Sequence, residues 1–283
     1  MKVRDFLETK VILPALPQIQ ARLQQVLDDP EAGEAELVEI IRQDPKLVAS
    51  VLRLANKRLL ASGEKVDTAA KAVKVLGFKD AGGLALGTAS ISLFRRSKYA
   101  VLSVEKFWKH SIACAVIASR IANAMDFSDP ERFFAGGLVH DIGLFLIFES
   151  NHGLALELVD LADRKGESFY HAEYDLLGFN HAMLGGIVLK DWDFPRHLIA
   201  AAAGHHNPSK VKSDPDAMVT HLACFMSRAM GYNHGLSSVL GFIDHDAWAK
   251  TGIAGAQFEE MLPEIQGQID DLFKILNPAD AAN

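Results

Sequence analysis

Apolar side chains recur every three to four residues along most of this chain, and no segment alternates with the period of two that marks a strand. The pattern predicts a helix over residues 15–28, through Leu16, Ile19, Leu23, Val26 and Leu27, with Pro17 tolerated in the first turn. It continues over 34–43 through Leu37, Ile40 and Ile41. Asp44-Pro45 is a start signal, a capping carboxylate followed by a proline that needs no amide partner. The helix it opens carries Leu47, Val48, Val51, Leu52, Leu54 and Ala55 and ends near Asn56. A turn over 63–67 leads to a helix over 68–76, broken at Gly77-Phe78. Residues 81–89, rich in Gly and Ala, form a small-residue helix suited to close packing. Further helices are predicted over 103–125, 152–165, 168–177, 180–191, 196–206, 215–231 and 255–276. The class is all-α.

Asp-Pro start signals at 44–45, 129–130 and 214–215 lie at equal separations. Beyond apolar periodicity the segments after them share no matching residues, so capping chemistry and not a repeat accounts for them. The polar run Arg95, Arg96, Ser97, Lys98 and Tyr99 is the best boundary between two halves. It reads as a solvated linker, with docking of an acidic partner as the functional alternative. Composition adds limits more than identity. With 49% hydrophobic and 23% charged residues the chain is ordinary globular protein. A net charge of −7 argues against a broad, sequence-independent grip on nucleic acid. Two cysteines, Cys114 and Cys224, make no disulfide framework and fit a reducing compartment. The start Met1 to Glu8 lacks a signal peptide's apolar core, and no run of about 18 apolar residues is seen. A cytoplasmic location and no membrane attachment are expected. The last helix carries Glu259, Glu260, Glu264, Asp270 and Asp271 and reads as a packing element, not a membrane anchor.

The candidate chemistry sits in Phe133 to Gly143, an apolar stretch that delivers an adjacent His140-Asp141 pair. Buried titratable groups are costly unless paired or holding a metal. Neighbours on a helix point about 100° apart, so both side chains can reach one ion. His110, His181, His205 and His206 can complete the set, and such nitrogen and carboxylate donors suit iron, manganese, zinc or nickel. The plain alternative is a buried hydrogen-bonded pair kept for packing. His205-His206 ends a helix, where the dipole favours imidazolium. His152, His171, His197, His221, His234 and His245 read as surface or packing residues. Cys114 lies four residues from His110 on one face, but the two make no dyad without an orienting third group.

The order of His110, His140-Asp141, His181 and His205-His206 resembles the HD superfamily of metal-dependent phosphohydrolases. The closer match is to the HDOD family, an HD-related output domain of bacterial signalling, over roughly residues 10–250. The matching stretches are Leu13 to Pro17, Ile40 to Leu47 running into Leu52 to Asn56, and Ala72 to Gly77. They continue with Trp108 to Ser111, Ala135 to Gly143, Gly178 to His181, Trp192 to Pro195 and His205 to Pro208. The resemblance implies an HD-like helical bundle over about 99–250, an N-terminal helical subdomain over about 10–98, and a C-terminal helix and tail over 251–283. It also implies His110, His140, Asp141, His181, His205 and His206 as metal ligands.

The chain departs from the enzymes at Cys224, where their last ligand is an aspartate, and Gly231-Tyr232-Asn233 lacks the Gly-Tyr-Pro motif of the cyclic-dinucleotide enzymes. The expected function is therefore non-catalytic signal transduction. A protein partner or small ligand would bind through a groove between the subdomains, a homodimer is compatible, and input would come from another polypeptide. The competing class is a metal-dependent phosphohydrolase acting on a nucleotide or cyclic dinucleotide.

Overall fold

A computed structural model describes residues 2–10, 18–59, 66–93, 101–128, 130–192, 194–211, 214–236 and 239–276, and all regular elements among them are helical. The chain forms two compact units, one of Met1–Pro14 with Arg96–Asp270, the other of Ala15–Arg95 with Asp271–Asn283. Helix α1 (Val3–Lys10) belongs to the larger unit.

The smaller unit contains α2 (Gln18–Asp28), α3 (Glu34–Ile41), α4 (Pro45–Arg58), α5 (Ala69–Leu76) and α6 (Phe78–Leu93). Leu23, Leu37, Ile41, Leu47 and Val51, which the helical period placed on inner faces, close its core together with Val73 and Ala85. The small-residue helix packs as its composition requires: a Cβ on Gly82 would lie 2.2 Å from the Leu27 side chain on α2. Asn56 holds the turn after α4, its amide donating to the Val66 carbonyl (2.7 Å) and its oxygen accepting the Val66 N–H (2.8 Å).

The larger unit contains α7 (Val104–Ala124), α8 (Glu131–Val139), α9 (Ile142–Ser150), α10 (His152–Lys165), α11 (Phe169–Leu177), α12 (His181–Asp191) and α13 (Arg196–Gly204). After a 3-10 turn (Pro208–Val211) come α14 (Pro215–Ala229), α15 (His245–Thr251) and α16 (Gly255–Leu276), the last belonging to this unit as far as Asp270. Helix α7 is buried along nearly its whole length and packs against α8 and α14, while α12 lies between α9 and α13. Arg120 on α7 anchors α16 through Glu264 and Gln268. By length and a mean hydropathy of 1.4, Arg132–Ser150 could cross a membrane, but 83% of that window is buried inside the protein as core.

The sequence expectation needs correction in places. The stretch expected to run as one helix through His140-Asp141 breaks there into α8 and α9. Helix α13 stops at Gly204, before the histidine pair. Helices α1 and α15, of eight and seven residues, were not anticipated from the sequence. The start expected at residue 15, Leu13 to Pro17, residues 63–65 of the expected turn and the Arg95 to Tyr99 cluster lie outside the described residues.

Candidate metal centre

The break between α8 and α9 is imposed by close packing on both sides. A Cβ on Gly137 would lie 2.7 Å from the Ala115 backbone of α7, and one on Gly143 would lie 2.0 Å from the His181 carbonyl oxygen of α12. The two glycines therefore let α7 and α12 approach the chain just before and just after His140-Asp141. His140 closes α8 with helical angles, while Asp141 opens α9 at φ −97° and ψ 15°. Both side chains are buried, at 0% and 2% exposure.

Asp141 sits at the middle of the cluster. Its Oδ2 lies 3.0 Å from His140 Nε2, 3.4 Å from His110 Nε2 and 2.9 Å from His234 Nε2. Its Oδ1 lies 3.3 Å from His181 Nε2 and 3.2 Å from His205 Nε2. His206 joins through His181, Nε2 to Nε2 at 2.8 Å. The structure thus brings together His110, His140, Asp141, His181, His205 and His206. It also adds His234, which the sequence reading left among surface and packing residues. That histidine lies on the loop after α14, between Gly231 and Gly235, whose φ values of 89° and 74° favour glycine.

The outer ring nitrogens explain the orientation. His110 Nδ1–H donates to the Tyr232 carbonyl (2.8 Å), His140 Nδ1–H to Gly137 (2.7 Å) and His205 Nδ1–H to Ala202 (2.8 Å). Glu173, fully buried on α11, accepts both His181 Nδ1–H (2.6 Å) and the His181 backbone N–H (2.7 Å). Asn180 caps α12 by accepting the Met183 N–H, which places His181 at the first helical position. Four imidazoles are thereby fixed with Nε2 aimed at the centre, the arrangement by which outer partners orient metal-binding histidines. Sequence reasoning passed over Glu173, which has the ordinary look of an acid on an amphipathic helix.

The charges are strongly coupled. Burial opposes the charge of Asp141, but His140 and the surrounding imidazoles hold its carboxyl well below the usual range. Burial likewise opposes protonation of His140 and His181. The carboxylates of Asp141 and Glu173, respectively, outweigh it and hold each at about 10. Burial keeps His205 low, and with the charges of His205 and His181 it drives His206 lower still. The expectation of imidazolium favoured at a helix end is therefore overturned for this pair. It lies past the end of α13, and desolvation and like charge dominate there. His234 is held at about 4, first by burial and then by His110. A hydrogen bond from Cys114, working against burial, holds the Cys224 thiol well below its ordinary range, while burial pushes Cys114 well above.

Several donors here lack a hydrogen-bond partner among the described residues, notably Asp141 Oδ1 and His234 Nε2, although both sit within 3.3 Å of charged or polar atoms. With Nδ1 already donating, a metal ion in place of the protons at the inward Nε2 atoms would satisfy the rings and Asp141 together. Three overlapping groups have donor atoms within 4.8 Å of one another: His110, Cys114, His140 and Cys224; Asp141, His181, His205 and His206; and His110, Asp141 and His234. These residues fit a metal ion. His221 does not join them; its Nδ1–H donates to the His205 carbonyl (2.7 Å) and its Nε2 accepts the Asp244 N–H (2.9 Å), a packing role.

An all-helical fold with a buried histidine–aspartate centre at a helix break defines the HD-like class. Residues 13–208 match the HDOD domain, and the chain belongs to that family. A crystal structure of an HDOD domain protein of unknown function from Geobacter sulfurreducens is 24% identical, with a TM-score of 0.74 over 96% of this chain and 97% of that one. A protein from Shewanella amazonensis SB2B, provisionally described as a phosphohydrolase, is 23% identical, with a TM-score of 0.78 over 97% of both chains. These likenesses carry the fold. An uncharacterised protein of Treponema pallidum (strain Nichols) is 21% identical over 196 residues, 69% of this chain; the match spans 38% of that relative's length.

Proposed function

We propose that this HDOD chain is a non-catalytic signalling module, stabilised by a divalent transition metal in its buried centre and acting on a protein partner or small ligand. The observation that carries this reading is the closure of the centre. The cavity beside Asp141, lined by Tyr170, His181, His206, Cys224 and His234, leaves about 20 Å³ of free space. That is room for about one water, whereas small-molecule sites are clefts of about 300–1,000 Å³. His234 stands over Asp141 Oδ2 at 2.9 Å, and Tyr170 lies against His206 with ring centroids 4.6 Å apart.

A metal ion held here would supply Lewis acidity and a more acidic water in a hydrolase. In this chain the surrounding residues bind and orient, and His234 and Tyr170 narrow the space beside Asp141. The second reading, a metal-dependent phosphohydrolase, is supported by the convergence of the His-Asp donors and by the description of the Shewanella protein. The test is metal analysis of purified protein, then assays with cyclic dinucleotides and nucleoside phosphates plus manganese or iron. We expect bound metal and no turnover above a metal-only control. Metal-dependent hydrolysis that vanishes in His140→Ala would reverse the assignment.

A further inference from the structure

We propose that Cys114 and Cys224 join His110 and His140 in a four-coordinate, thiolate-containing metal site that selects a soft or borderline ion such as zinc. The inference rests on the reading of a metal-binding centre and specifies its sulfur side. The site is distinct in chemistry from the oxygen- and nitrogen-rich group on the other face of Asp141.

The distances carry the argument. Metal–sulfur bonds of about 2.3 Å and metal–nitrogen bonds of about 2.0–2.1 Å, arranged tetrahedrally, put two nitrogens about 3.3 Å apart and a nitrogen and a sulfur about 3.6 Å apart. His110 Nε2 and His140 Nε2 are 3.3 Å apart. Cys114 Sγ lies 3.4 Å from His110 Nε2 and 4.0 Å from His140 Nε2, and Cys224 Sγ lies 3.8 Å from His110 Nε2. All four donor atoms fall within 4.8 Å of one another. These four edges match a tetrahedron to within a few tenths of an ångström, with both imidazoles turned inward by their backbone acceptors.

Residue placement supports this reading. Cys114 lies one turn from His110 on α7, so the two side chains share a face. Cys224 reaches across from α14, which packs against α7. Ser227 Oγ lies 3.2 Å from Cys114 Sγ, close enough to support a thiolate, and 3.1 Å from His110 Nδ1. Both cysteines are buried and free, so no disulfide competes for them in this state. Replacing a carboxylate with a thiolate changes the preferred metal from the hard end of the series to zinc and its neighbours. In these terms Cys224 is a ligand of different softness, not a loss.

The test is titration of the full chain, stripped of metal and kept reduced, with cobalt(II). Binding is followed by equilibrium dialysis, and coordination by the thiolate-to-cobalt charge-transfer absorption in the near ultraviolet. We expect that absorption in the wild type, its loss in Cys114→Ser with Cys224→Ser, and its retention in His245→Ala, an exposed histidine on α15. X-ray absorption of the zinc-loaded wild type, which needs no variant to fold, should show sulfur scatterers at about 2.3 Å. Stoichiometric cobalt or zinc without sulfur coordination would overturn this inference and leave the metal-centre reading standing. No cobalt or zinc bound at all would overturn both.

Discussion

The two faces of Asp141 differ in how they are built. On the Oδ2 face, His110 and His140 are oriented by backbone carbonyls, His234 reaches the same oxygen, and the sulfurs of Cys114 and Cys224 group with the first two rings. On the Oδ1 face, His181 is oriented by a buried carboxylate, Glu173, and its companions are His205 and His206. A carbonyl partner fixes a ring but adds no charge. A carboxylate partner fixes it and makes it more basic, and so a stronger donor. The comparison teaches that one helix break serves two environments: a softer one between α7 and α14, and a harder one between α12 and α13.

The largest expected effect tests whether either environment holds an ion. Stripping metal-replete protein with a strong chelator should lower its thermal midpoint, because a ligand present at about a thousand times its dissociation constant stabilises the folded state by about 4 kcal/mol. The double variant His140→Asn with Asp141→Asn should not respond. Identical, chelator-independent midpoints for the wild type would remove the metal and leave the centre a packing feature.

Next in size are the two glycines. Gly143→Ala sets a Cβ 2.0 Å from the His181 carbonyl and should cost more than Gly137→Ala, whose nearest backbone atoms are 2.7 Å away. Overpacking of this kind costs about 1–3 kcal/mol, occasionally more. Denaturant unfolding of both variants measures the order, and the reverse order would show that α12 yields more easily than α7. Glu173→Gln keeps the shape of the side chain but removes the charge behind His181. It should weaken metal affinity on the Oδ1 face about 10- to 100-fold, the usual effect of losing an outer partner, and spare the thiolate–cobalt absorption. Competition titration reads the first quantity and the spectrum reads the second. Equal loss on both faces would merge them into a single site.

The smallest effect lies away from the centre. Burial raises the Asp216 carboxyl to about 6, against the pull of Arg132 at 3.1 Å. A folded pKa above the unfolded 3.8 means that ionisation penalises the folded state: the penalty is absent at low pH, grows through pH 4–6 and is constant above. At 1.36 kcal/mol per pKa unit the ceiling is about 3 kcal/mol, and partial solvent screening reduces it to about 1 kcal/mol. Asp216→Asn should therefore raise the thermal midpoint at pH 7.5, on the order of a degree or more, and leave it unchanged near pH 4. A lowered midpoint at pH 7.5 would show that the ion pair with Arg132 outweighs the burial.

Much of this architecture is legible in the residues. Long helices such as α7, α10 and α12 announce themselves by periodicity and by the caps Ser103, Asn151 and Asn180. The histidine set is legible from its order along the chain, which resembles the HD pattern, and from the cost of burying such groups singly. The break at His140-Asp141 was missed because apolar residues continue across it, although Asp141, the cap of α9, is a turn-forming residue. His234 was missed for a related reason. A loop residue has no period, and only the glycines at 231 and 235 hinted at a shaped turn. Glu173 needed the fold, because its acceptor role is defined by α12 and not by its own helix.

Asp141 is one side chain with two oxygens, and each oxygen faces a different set of donors. Rotating its carboxylate to suit an ion on one face necessarily re-aims the other oxygen. Ions held on the two faces would therefore be coupled through it, and the coupling would be reciprocal: whatever factor the first applied to the affinity of the second, the second would apply to the first.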